Sequence, residues 1–314
     1  MHRTTHRRSI GIGALAALAA AVALALAAGS ASAATSASAR PAAGGTITIG
    51  SKDFTEQFVM GELYAQALQR AGFSVKKKIN LGSTTITDAA LRKGDIDIYP
   101  EYTGTMLLYV CKLPYTTGIT LAKELAQDRA CYGKRGLELM TPARFNDGNA
   151  IACTAGFVAK NKLKTLSQLA KVAKSARYAT IAEQLTAPNG VPWMKKHYGL
   201  VFGSTKTYDV GLRYKALADG AADCVYAFGT DPQIADQKLV VLKDDKGIWP
   251  FDHATPVVRK GWLASQDPKV KQTIDKVNAL LDDATMTELN KQVDIDKEDP
   301  ADVAEAFLKE KGLA

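Results

Sequence analysis

"ALRKGDIDIYPEYTGT" occupies residues 90–105, and "ALADGAADCVYAFGTD" occupies residues 216–231. At an offset of 126, Ala90, Leu91, Gly94 and Asp97 coincide with Ala216, Leu217, Gly220 and Asp223, and Tyr102 falls on Phe228. Each copy reads as the end of a helix, a glycine stop, and a strand that finishes on an aromatic residue. The flanks repeat as well. Before the first copy come "GTITIGS" as a strand and "DFTEQFVMGELYAQALQRAG" as a helix. Asp53 and Glu56 give that helix a capping-box pattern, and Gly72 stops it. "FSVKKKINLG" is the next strand, "STTITDAALRKG" a short helix, and "DIDIYPEYTGT" a strand breaking at Pro100. In the second half "ARYATIAE", "GVPWMKKHYGL", "TKTYDVG", "LRYKALADG" and "ADCVYAFGTD" follow the same β-α-β-α-β order.

This order predicts an α/β protein of two lobes. A boundary falls in "RFNDGNAIACT", near residues 147–150. The helical segments from residue 267 onward have no strands of their own and are expected to pack back on the first lobe. The chain would then cross between lobes twice, with residues 44–147 and 254–314 in lobe I and residues 148–253 in lobe II. Open α/β sheets bind ligands beyond the carboxyl ends of their strands. Tyr102 and Phe228 would therefore stand on opposite walls of one cleft.

Residues 1–39 read as an export signal and linker. Arg3, Arg7 and Arg8 form a basic start, residues 10–28 are an uncharged Ala/Leu run, and "ASA" recurs at 31–33 and 37–39. Arg7-Arg8 leaves twin-arginine and general secretion both open. No cysteine directly follows the apolar run, so export to the periplasm, the cell envelope or the cell exterior without a lipid anchor is expected. Dropping the three arginines lowers the formal charge from +8 to +5. The remaining excess is scattered, in "VKKK" and "MKKH", and carries no nucleic-acid motif. Cys111, Cys131, Cys153 and Cys224 lack metal-ligand spacing. In an exported chain pairing is natural, and of the three possible pairings 111–131 and 153–224 is favoured. Cys111 and Cys131 bracket one helical segment, and the other two lie in predicted strands.

There is no GxSxG, HExxH or GxxxxGK[ST] motif, so no catalytic group, cofactor or metal is expected. His197 and His253 are the histidines outside the export segment, and neither has an evident nucleophile partner. "NLGSTT" opens a helix and could offer backbone N–H groups to an anion. Aromatics gather instead at strand ends and crossovers. Tyr99, Tyr226 and Trp249 read as core, whereas Tyr102, Phe228 and Phe251 adjoin loop residues, where sites concentrate. Converging rings suit a quaternary ammonium ion, with cation–π attraction of ~0.5–2 kcal/mol per contact.

"IGSKDFTEQFVMGELYAQAL", "NLGSTTITDAALRKGDIDIYPEYTGT", "DPQIADQKLVVLKDDKG" and "MTELNKQVDIDKEDPADVAEAFLKEKGL" resemble the osmoprotectant-binding proteins of ABC importers, the glycine betaine/choline/carnitine group of ProX or OpuC type. The resemblance spans nearly all of the chain after residue 39. It implies a two-lobed type II periplasmic-binding-protein fold with two crossovers at the hinge, a monomer, a small-molecule solute, delivery to a membrane permease, and no catalysis. It also implies a site. Lys52 matches the lysine of "SKxFxEQ", Tyr102 and Thr105 match "YTGT", and Asp147 matches the aspartate before the second-lobe strand. Phe228 and Phe251 stand where tyrosine is usual. Asn149 replaces a common aromatic, and Ala187 in "LTAPNG" replaces a common arginine. Without that arginine, Lys52 and Thr105 would have to hold a ligand carboxylate. The expected solute is a choline- or betaine-type quaternary ammonium compound. The alternatives are another small polar or zwitterionic solute in the same fold and, more remotely, an exported enzyme.

Overall fold

The structure, a computed structural model, describes residues 45–313; the expected export segment lies outside them. Among the described residues ten strands form two five-stranded sheets. The first contains β1 (Ile47–Gly50), β2 (Val75–Lys78), β3 (Ile98–Tyr102) and β4 (Leu137–Leu139). The second contains β5 (Asn149–Cys153), β6 (Arg177–Thr180), β7 (Ser204–Thr207), β8 (Cys224–Phe228) and β9 (Val240–Val241). The last strand, β10 (Ala254–Arg259), returns to the first sheet. The orders are β2-β1-β3-β10-β4 and β7-β6-β8-β5-β9. The sheets therefore share one plan: two parallel neighbours, a central strand, then an antiparallel strand next to a crossover. β3 and β8 coincide at the offset of 126 seen in the sequence.

The helices follow the predicted stops. Thr84–Lys93 ends at Gly94 and Val191–Tyr198 ends at Gly199. Both glycines have positive φ, which a side chain would strain. The C-terminal helices Pro268–Leu280, Asp283–Asp294 and Pro300–Glu310 share one core with helix Thr55–Arg70 and the first sheet, where Val59, Leu63, Ile274, Val277 and Phe307 are buried together. No helix of the described residues is long and apolar enough to cross a membrane.

Two local expectations are corrected. Pro100 does not break the strand; it lies inside β3, opposite Pro256 of β10. The Pro100 carbonyl accepts from Gln57 Nε2 and the Pro256 carbonyl from Met140 N, so both residues turn their polar groups away from the shared edge. A missing N–H costs nothing in such a pair. Nor do Asp53 and Glu56 build a capping box. The helix begins at Thr55 with Phe54 at its N-cap and no side-chain cap, because Glu56 is used elsewhere.

Cys153 and Cys224 face each other across β5 and β8 and are joined, and Cys111 is joined to Cys131 in helix Leu121–Lys134. With separations of 71 and 20 residues, chain-entropy arguments give them about 4 and about 3 kcal/mol.

Candidate ligand-binding cleft

The parallel strands β3 and β8 end where the antiparallel strands β10 and β5 begin. Loops from both sheets therefore converge on one cleft of about 1020 Å³. Lys52, Phe54, Glu56, Tyr102, Thr105 and Tyr109 line it from the first sheet's side. Asn149, Gln184, Asn189, Arg213, Tyr226, Phe228 and Thr230 line it from the second, with Asp147 and Asp252 from the crossovers. A turn of π-helix after β3, Met106–Val110, brings Tyr109 to the cleft, where its hydroxyl donates to Asn189 Oδ1 at 2.8 Å.

Two glycines let the crossovers approach so closely. A Cβ on Gly104 would lie 2.7 Å from the Phe251 carbonyl oxygen and 2.8 Å from Asp252 Oδ1. A Cβ on Gly229 would lie 2.5 Å from the Asn146 carbonyl oxygen. Asp252 is held in place by this packing. Its Oδ1 accepts from Thr105 N at 3.1 Å, and its Oδ2 accepts from Asn149 Nδ2 at 3.3 Å. Asn149 Oδ1 in turn accepts from the Tyr226 hydroxyl. The Asn149 amide thus links an aromatic wall to a carboxylate.

Of the residues expected from sequence, Lys52, Tyr102, Thr105, Asp147, Asn149 and Phe228 all line the cleft. Phe251 does not. It precedes Asp252, which does line the cleft. Its ring lies 6.0 Å from that of His253, while its backbone accepts from Thr103 and donates to Glu124. Ala187 is buried and off the lining, between Gln184 and Asn189, which are on it. An arginine does reach the cleft, but from another part of the chain. Arg213, 1% exposed, reaches the cleft with Cζ 5.3 Å from the Phe228 ring centre. Its Nη2 donates to Asp231 at 2.5 Å and its Nε to the Tyr226 carbonyl at 2.7 Å.

The cleft's charges are unevenly matched. Lys52 Nζ is 2.5 Å from Glu101 and 4.7 Å from the Tyr102 ring centre, so its charge is already engaged. Arg213 is engaged by Asp231, and Arg92 and Arg135 by Asp88. Among the described residues no cation lies within ion-pair reach of Glu56, Asp147 or Asp252. Burial pushes the pKa of all three up. Glu124 adds to this at Asp252, and the neighbouring Glu56 adds to it at Asp147.

Sequence reasoning missed Glu56, Tyr109, Arg213 and Asp252, and assigned Tyr226 to the core although it is both buried and on the cleft. The acidic residue after Phe251 was the available signal for Asp252. Arg213 had none, since Asp231 and Tyr226 meet it only in the folded chain.

Two α/β lobes around such a cleft define a two-lobed solute-binding protein of the type II periplasmic class. Residues 45–310 match the substrate binding domain of the ABC-type glycine betaine transport system, and the chain belongs to that family. It is 35% identical over 287 residues to the glycine-betaine-binding protein of Pseudomonas aeruginosa, covering 87% of this chain and 90% of that one. It is 30% identical over 269 residues to an ergothioneine transport permease/ergothioneine binding protein of Helicobacter pylori, covering 85% of this chain but 48% of that one. Among solved structures, a glycine betaine/carnitine/choline ABC transporter protein aligns over 85% of this chain and 99% of its own at 28% identity, with a TM-score of 0.75.

Proposed function

We propose that this chain is exported without a lipid anchor and works as a monomer. It captures a quaternary ammonium solute of the choline or glycine betaine class between lobes I (44–147 and 254–314) and II (148–253). It then hands the solute to an ABC permease, with binding rather than turnover as its role. The observation that carries the ligand class is the charge imbalance of the cleft. Among the described residues the buried carboxyl groups Glu56, Asp147 and Asp252 have no cationic partner within ion-pair reach, and the rings of Tyr102, Tyr109, Tyr226 and Phe228 stand on the same lining. Such a site favours a cation with apolar methyl groups, through ring faces and through carboxyl groups that ionise beside the arriving charge. Lys52 and Arg213 already have carboxylate partners, so a carboxylate on the ligand gains less here than it would from free donors.

A thermal-shift panel of choline, glycine betaine, carnitine, ergothioneine, proline and neutral polyols tests the reading. Quaternary ammonium compounds should raise the melting temperature, with choline at least equal to glycine betaine. A ligand at 100-fold excess over Kd adds about 2.7 kcal/mol. A shift with the neutral compounds alone, or turnover of any compound, would overturn it.

A further inference from the structure

Thr230 follows β8 of the second sheet, Glu56 follows β1 of the first, and Asp147 lies on the crossover before β5. All three are buried. Thr230 Oγ1 lies 2.5 Å from Glu56 Oε2 and 2.7 Å from Asp147 Oδ1. A hydroxyl has one hydrogen and can donate to only one of these carboxyl groups. The second contact is a hydrogen bond only if the other carboxyl carries a proton. We propose that Glu56, Thr230 and Asp147 form a proton-loaded clasp that ties the two lobes together at the edge of the cleft and lets go when its proton is lost.

The surrounding groups say where the proton sits. Glu56 accepts from the Tyr102 hydroxyl at 2.7 Å and from Asn290 Nδ2 at 2.8 Å, both donors that suit a carboxylate. Asp147 lacks comparable donors; Thr230 N is 3.3 Å away. The proton therefore belongs on Asp147, which donates to Thr230, which donates to Glu56. The charged groups facing the clasp are Asp231 from the β8 loop and Asp252 from the second crossover. Arg213 and Lys52 line the same cleft but are paired with Asp231 and Glu101. Helix Asp283–Asp294 reinforces the edge. Besides Asn290, its Asp294 accepts from Thr55 of the first lobe and Gln233 of the second.

The sign of the pH response follows. Burial raises the pKa of Glu56 and Asp147, so the clasp is intact at low pH. Its contribution is lost as pH rises through the raised value. Two adjacent carboxylates then face Asp231 and Asp252, and among the described residues no cation is within ion-pair reach of Glu56 or Asp147.

The test uses ligand-free protein, so it does not depend on the solute. Small-angle scattering is measured from about pH 5 to about pH 9, a range that spans raised carboxyl pKa values. Infrared spectra at neutral pH read the carboxylic acid band. The parent should expand as pH rises. Asp147→Asn, whose amide donates permanently to Thr230, should stay compact throughout and lose part of the band. Thr230→Val should be expanded at every pH, and it serves as the second reading if the first variant fails to fold. A parent of constant size, or variants that keep the parent's pH response and band, would overturn the clasp.

Discussion

Asp231→Ala should lower stability by about 3–5 kcal/mol, the range for leaving one partner of a buried ion pair uncompensated. Asp231 Oδ2 collects three donors: Arg213 Nη2, the Tyr214 hydroxyl at 2.6 Å and Phe228 N at 2.7 Å. Removing it leaves a guanidinium that is 1% exposed without a counter-charge, and frees the loop that carries Phe228. For a chain of this size the melting temperature should fall by roughly 6–20 °C. The double variant Arg213→Met, Asp231→Ala should recover part of the loss, because no charge is then stranded. Thermal unfolding followed by circular dichroism on parent, single and double variants measures this. A single variant within 1 kcal/mol of the parent would show that Arg213 finds another anion or water.

Asp252→Asn should weaken choline binding about 30–150-fold while leaving the fold intact. Asparagine is isosteric and its carbonyl can still accept from Thr105 N, so the packing against Gly104 survives. What disappears is a counter-charge to the cation, for which about 2–3 kcal/mol is a reasonable scale. In the ligand-free cleft burial and Glu124 hold the pKa of Asp252 well above the usual carboxylate range. A cation arriving beside it favours the charged form. Binding should therefore release a proton in the parent and a smaller fraction of one in the variant. Calorimetry in two buffers of different ionisation enthalpy reads both quantities. Equal affinity in the two proteins would place the cation elsewhere in the cleft.

The repeat at offset 126 carried most of the fold in the sequence, since it marks the two strands, β3 and β8, that end on the cleft. What it could not carry was partnership across long separations. Glu56 matched a local capping pattern, and its actual partner Thr230 is 174 residues away. Phe251 and Asp252 are adjacent, and that Asp252 rather than Phe251 lines the cleft goes with the close packing of this segment on Gly104, a contact made only in the folded chain. Ala187 was legible as a departure, but not that Arg213, 26 positions on, would bring a guanidinium to the same cleft.

The two sheets differ in one respect that bears on how the chain acquires its structure. Every strand of the second comes from residues 149–241, whereas the first needs β10, and the core around helix Thr55–Arg70 needs Phe307. Closing those long loops is entropically expensive and slow. The lobe that begins the chain should thus be the last to consolidate, and pulse-labelled hydrogen exchange should find amides of β6 and β8 protected before those of β3. Protection of β3 first would contradict this order. Until its carboxyl-terminal strand and helices join it, the amino-terminal half lacks a finished interior.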